Sequence, residues 1–227
     1  MLYQNPTLYD TLLPVSEAQL RYYVNLAQCH RGAVLELGCG SGQLIVPIAA
    51  SGVSAVGLDN SAEMLAAARQ RADRAGVRVD LVDADMRNFE LGDRFSLIFV
   101  ARNSLLHLAE QEEYAAFFSA VRRHLAGDGI LAFDIFNPDV RLLSRPAGQR
   151  FPVMRAVSEA YGELTVEDAV DYDSVSQVNR ATWFISTAGR RDAWVSPLHL
   201  RSIFPQELLA LLAANDFRLL RRDGDYA

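Results

Sequence analysis

Cysteine is scarce in this chain: Cys29 and Cys39 are the only two among 227 residues. Two thiols, one of them inside a glycine-rich loop, do not make a disulfide framework, and a reducing cytosol is the natural expectation. No charged-then-apolar leader opens the sequence, and no apolar run reaches the ~20 residues of a membrane span, so a membrane partner is not expected. Positive charge is not in excess either. The formal net charge is −6 and the pI about 5.2, whereas a duplex nucleic-acid surface normally needs a basic stripe. His30, His124 and His199 share no metal-ligand spacing with one another or with the cysteines, and no metal site is expected. What is abundant is apolar sequence, 50% of the residues, enough for one full core and a small accessory layer.

The most informative stretch is Val34-Leu35-Glu36-Leu37-Gly38-Cys39-Gly40-Ser41-Gly42. An apolar run ends in an acid, glycines alternate with small residues, and an amphipathic segment follows. This reads as a buried strand, a turn whose backbone can approach a ligand, and a helix start. Open α/β sheets hold nucleotide-like ligands at such turns. Val53–Asp59 is a second short strand ending in an acid, with Asp59 near the ~20-residue spacing at which a carboxylate receives ribose hydroxyls. A third, Arg78–Asp85, ends the same way, so Glu36, Asp59 and Asp85 come to one rim of the sheet. A pyrophosphate tolerates few nearby carboxylates. The glycines here run G-x-G-x-G, no Lys or Arg lies within the loop, and acids surround it. The rim therefore suits a nucleoside with a cationic tail, and S-adenosylmethionine fits.

Three stretches, Val34 to Gln43, Gly57-Leu58-Asp59-Asn60-Ser61 and Asp83-Ala84-Asp85-Met86, resemble successive motifs of the class I S-adenosylmethionine-dependent methyltransferases of small-molecule type. The resemblance continues through Phe95–Val100 and Leu125–Phe133, covers roughly residues 30 to 136, and returns near 204 to 220. It implies S-adenosyl-L-methionine as cofactor and methyl transfer by in-line displacement to a small-molecule acceptor. Gly38, Cys39, Gly40 and Gly42 would approach the methionine part. Glu36 would face its ammonium, or else cap backbone N–H groups at the strand end. Asp59, followed by Asn60, would take the ribose, or else cap a helix. Asp85 and Met86 resemble adenine contacts, and Met64 either covers the adenine or belongs to the core. Ala101-Arg102-Asn103-Ser104 follows the fourth strand, where the family sets the face between cofactor and acceptor. Asn103 would act there or shape the turn. His107 would be a general base, or a helix-start histidine bonded to backbone. Tyr9 would close over the cofactor, and Asp134 and Asn137 would orient the acceptor. Trp183, Trp194 and Arg201 would line its pocket or form a local core. No Asn-Pro-Pro-Tyr follows the fourth strand, which weighs against a methylase of nucleic-acid bases or glutamine. Two competing readings are a non-catalytic cofactor-binding scaffold and an NAD-dependent oxidoreductase.

The expected architecture is α/β: a doubly wound, mostly parallel Rossmann-like sheet with a small antiparallel β-sheet inserted as active-site cover. Strands at 33–37, 54–58, 78–82, 95–100 and 129–135 alternate with helices at 42–50, 61–75 and 110–125. A helix over 16–28 precedes them, and Pro6 and Pro14 are expected to break any earlier one. Residues 1–137 and 204–227 would form the cofactor-binding domain and 151–203 the inserted lid, with three or four antiparallel strands. A helix is expected from Phe204 to about Ala214 and a last strand over 216–221. The family's seventh, antiparallel strand would begin where the sequence reaches Asp225-Tyr226-Ala227. An open edge there invites pairing, including a homodimer.

Overall fold

The computed structural model describes residues 2–226. Its core is a parallel sheet of β1 (Val34–Leu37), β2 (Ala55–Asp59), β3 (Asp80–Asp83), β4 (Phe95–Val100) and β5 (Leu125–Phe133), in the order β3-β2-β1-β4-β5. Strand order reverses between β1 and β4, and the crevice outside their carboxyl ends is where open α/β sheets bind ligands.

Both faces of this sheet are covered because its strands are apolar on both sides. Val34, Leu97 and Phe99 pack with α2 (Glu17–Cys29), α3 (Ile45–Ala50) and α4 (Ala62–Ala75). Leu35, Leu37, Ile98 and Val100 pack with α5 (Gln111–His124) and α7 (Pro205–Ala214) on the other side. Ser61 caps α4 through Met64 N–H and Gly76 ends it in the left-handed conformation.

After a short α6 (Val140–Leu143), four strands form a separate antiparallel meander: β6 (Arg150–Ser158), β7 (Gly162–Asp173), β8 (Val178–Thr187) and β9 (Arg190–Arg201). Two of the three turns between them fall at the expected Tyr161-Gly162 and Ala188-Gly189, and the third spans 174–177. One face of this sheet, through Leu164, Val166 and Ile185, packs on Leu2, Leu8 and Leu12 of the N-terminal segment.

Three expectations are corrected. Pro6 does not prevent an early helix but starts one, α1 (Pro6–Leu12): it occupies the first turn, where its missing N–H costs nothing, and the Asn5 side chain accepts from Leu8 N–H. Residues 216–221 are not a strand. Asp216 is left-handed (φ 61°), the N–H groups of Asp216 and Phe217 return to Ala213 and Leu212, and Phe217 turns into the core, so the chain closes α7 instead of extending along β5. Among the described residues β5 is thus an edge of the sheet. The first helix after β1 also begins later than expected, at Ile45, because residues 38–44 are used by the loop.

Candidate active site

The crevice at the β1/β4 switch point is lined by Tyr9, Glu36, Gly38, Cys39, Gly40, Ala101 and Arg102 from the expected set. Ser41, Gln43, Leu44 and Ser104 complete it. Its floor is the loop after β1. Gly38 and Cys39 donate to Leu58 O at 2.7 and 2.9 Å, which folds the loop back over β2. Gly40 has φ +53° and open space where a Cβ would stand, a backbone bared to a ligand. Gly42 is glycine for another reason: a Cβ there would press on Val46 and Ala68, so it brings α3 and α4 together.

Asp59 organises this loop. One of its carboxylate oxygens accepts from Gly40 N–H at 2.7 Å and the other from Ser61 N–H at 2.9 Å. Burial raises its pKa while the backbone donors at Ser61, Gly40 and Asn60 pull it down. Four acceptor sites less these three leave capacity for one further donor. Asn60 beside it is exposed.

Glu36 is 3% exposed, and its Oε2 has no hydrogen-bond partner among the described residues. Burial pushes its carboxyl well above the ordinary carboxylate range, against the pull of the Arg102 guanidinium. An unmatched buried carboxylate oxygen in a crevice is a demand for a donor, best a cationic one.

The wall after β4 is a strained corner. Arg102 and Asn103 are consecutive left-handed residues (φ 60° and 63°). Asp134, at the end of β5, holds them by accepting from Arg102 N–H at 2.9 and 3.0 Å, and it also accepts from Tyr23 and Tyr226 hydroxyls. The Asn103 amide oxygen accepts from Phe136 N–H at 2.7 Å, so this side chain shapes the corner. The Arg102 guanidinium donates to Leu13 O and lies 5.1 Å from the Tyr9 ring centroid.

The roof is the N-terminal segment, and four side chains that sequence reading passed over secure it. Asp10 accepts from Ser41 Oγ at 2.5 Å and Gln43 Nε2 at 2.8 Å, and pairs with Arg71 of α4 at 2.5 Å. Arg71 Nε also donates to Ser41 O, and Gln43 Oε1 takes Val15 N–H. Ser41 and Gln43 stand in or beside the glycine loop; nothing local marks Asp10 or Arg71. This clasp sets Tyr9 over the crevice. Tyr3 follows, its ring 5.7 Å from that of Tyr9 and its hydroxyl 2.9 Å from His107 Nε2. Part of His107 is open to solvent, but its ring packs edge-on against Tyr3 and burial of the ring lowers its pKa.

Other expected site residues lie outside the crevice lining. Asp85 is held by Arg87, which lowers its pKa and in turn contacts Glu113 of α5. Met86 packs on the core beneath, Met64 is 1% exposed, and Asn137 is exposed beyond β5. Trp183 and Trp194 join the apolar cluster under α1. Arg201 pairs with Glu207 at 2.7 Å and donates to Ala109 O, bracing the small sheet on the large one. Among the described residues no group of three or more His, Cys, Asp or Glu is arranged to hold a metal, and no helix is long and apolar enough to cross a membrane.

Residues 34–129 match the family model described as a methyltransferase domain. A protein of Geobacillus sp. (strain WCH70) with a provisional methyltransferase name is 33% identical over 135 residues, 59% of this chain and 53% of its own length. The dTDP-3-amino-3,6-dideoxy-alpha-D-glucopyranose N,N-dimethyltransferase of Streptomyces fradiae is 35% identical over 102 residues, 45% of this chain and 38% of its own. The chain thus spans about half the length, or less, of these curated relatives. Among solved structures, the CcbJ methyltransferase of Streptomyces caelestis shares the fold at a TM-score of 0.78 and 24% identity, over 93% of this chain and 89% of that one.

Proposed function

We infer that this chain, which has the class I methyltransferase fold and a methyltransferase domain match over residues 34–129, is an S-adenosylmethionine-dependent methyltransferase of small molecules. The observation that carries this reading is Glu36: a buried carboxylate with an unmatched oxygen, beside a bare glycine backbone and one strand from Asp59. That set fits a nucleoside with a cationic amino-acid tail. Asp59 would accept from a ribose hydroxyl with its remaining acceptor site, Glu36 would face the ammonium, and Gly38 to Gly40 would lie along the chain between them. Bound S-adenosylmethionine supplies a methyl group on a positively charged sulfur, open to in-line displacement by an acceptor lone pair.

The protein's own contribution is then alignment and exclusion of water, and alignment can supply ~7–11 kcal/mol of a barrier. Tyr9 and Arg102 close the crevice from above. His107, kept neutral by its lowered pKa, would take a proton from a protonated acceptor at Nε2 once the Tyr3 hydroxyl gives up that atom. The same reading takes the acidic chain to work in the cytosol, without nucleic acid, and takes the β5 edge as the surface open to a homodimer. Neither the oxidoreductase nor the scaffold alternative draws support from the comparisons.

The deciding experiment is calorimetric titration with S-adenosylhomocysteine, followed by transfer of labelled methyl to a panel of small acceptors. Stabilisation by NADH in place of S-adenosylhomocysteine would overturn the reading. His107→Ala is expected to lower kcat by roughly 10²-fold, the lower end of general-base effects, with S-adenosylhomocysteine affinity unchanged. A loss of affinity instead would move His107 into the binding site.

Glu36 predicts a pH dependence. An ammonium is held by the ionised carboxylate, so binding expels the proton that burial retains. Affinity for S-adenosylhomocysteine is expected to fall as pH drops through the raised Glu36 pKa, and Glu36→Gln should flatten that profile. The ligand-free fold shows the opposite sign. Between the ordinary carboxylate range and the raised value, the unfolded chain releases the proton first, so stability is lost as pH rises.

A further inference from the structure

Strand alternation defines the inner face of the small sheet. Leu164 and Val166 point onto the N-terminal segment, so Asp168, two residues on, points the same way. Register sets Phe151, Asp168, Trp183 and Ser196 in one row across β6 to β9. At the end of that row Ser196 Oγ accepts from Leu2 N–H at 3.0 Å, next to Tyr3 and its partner His107. The row therefore ends beside the Tyr3–His107 pair.

Asp168 is 7% exposed. Apart from its own backbone N–H, the donor that reaches it among the described residues is Arg145 Nη1, at 3.2 Å from one oxygen. Arg145 is about a third exposed, and its guanidinium sits 4.5 Å from the Phe151 ring centroid. A buried carboxylate with four acceptor sites, served by one long contact from a side chain that can swing into water, is poorly satisfied. Farther along the same face Asn179, 5% exposed, has an Oδ1 without a hydrogen-bond partner among the described residues. Unmet acceptors on this face call for donors. The aromatic ring already carrying a guanidinium makes a cation the preferred one at Asp168.

We propose that Asp168, flanked by Phe151 and Trp183, anchors a positively charged amine of the methyl acceptor, and that Arg145 occupies this place until the acceptor displaces it. The assignment rests on the methyltransferase reading and adds the acceptor's recognition chemistry. Arg145 is then a competitor, and removing it has the opposite effect to removing Asp168. If the pair were only a brace for the segment after α6, both changes would act alike.

The test measures labelled methyl transfer to matched acceptors with and without an amine, such as glucosamine-based and glucose-based nucleoside diphosphates, tyramine and 4-hydroxyphenylethanol, and polyamines and the corresponding diols. The amine members are expected to be turned over at least about tenfold better, the worth of one charge-assisted contact. Asp168→Asn should raise KM for the amine about tenfold with kcat and S-adenosylhomocysteine affinity held within about twofold. Asp168→Glu should keep most of the affinity and serves where the asparagine variant does not fold. Arg145→Ala should lower KM. Equal use of deaminated partners, a parallel rise of KM in the Asp168 and Arg145 variants, or no methylation of any amine by protein that binds S-adenosylhomocysteine overturns the assignment. Failure to bind S-adenosylhomocysteine at all overturns the methyltransferase reading instead.

Discussion

Asp59→Ala is expected to weaken S-adenosylhomocysteine binding by ~100-fold or more, to the edge of calorimetric detection. The side chain does two jobs at once. It ties Gly40 N–H and Ser61 N–H to the end of β2, and it keeps acceptor capacity for the ligand. Hydrogen bonds to a charged group contribute about 1.5–3 kcal/mol each, and each 1.4 kcal/mol is tenfold in affinity. Losing the ligand's bond accounts for about tenfold to a hundredfold, and loosening of the glycine loop adds the rest. Asp59→Asn should fall between, because its amide keeps one acceptor and sets an NH2 against a backbone donor. Normal affinity in the alanine variant, in protein with an unchanged melting curve, would remove Asp59 from the site.

Asp10→Ala should act on the rate at which the same ligand leaves. The clasp joins α1 to the glycine loop and to α4 through Ser41, Gln43 and Arg71. Its ion pair is partly exposed, and such pairs contribute about 1 kcal/mol or less. The two further hydrogen bonds bring the clasp to roughly 2–3 kcal/mol. Opening of the roof, and with it S-adenosylhomocysteine dissociation, is expected to speed up ~30- to 100-fold. Trp183 and Trp194 lie in the apolar cluster under α1, so stopped-flow tryptophan fluorescence reads the step directly. The association rate should change little, and the melting temperature should fall by several degrees, at about 2–4 °C per kcal/mol. An unaltered dissociation rate would mean that the N-terminal segment does not gate the crevice.

Much of the fold was legible because its signals are local. Five runs of strand length, three of them followed by a turn and a 3.6-residue pattern, specify a parallel sheet. The Ser61 cap and the Gly76 stop lie next to the helix they bound. Glu36, Asp59 and the glycines were readable for the same reason, since a strand end, an acid and a turn are neighbours in the chain. Proline was misread at Pro6 because the residue has two meanings, breaker inside a helix and starter at its first turn, and position alone separates them. The strand expected over 216–221 failed on long-range grounds: an apolar alternation needs a partner edge, and Phe217 found the core beneath α5 and α7 first.

By itself, then, the sequence determined the alternation of elements, the parallel sheet with an antiparallel insertion, and the acids that end three strands. Those follow from the backbone's hydrogen-bonding needs and from side-chain periodicity over a few residues. Tertiary structure alone decided that Asp10 reaches Ser41 and Arg71, that Arg102 faces Glu36, and that Arg145 covers Asp168. Those pairings join residues 23 to 66 positions apart, and no local pattern records them. They are set by which surfaces the packed sheet and its cover bring together.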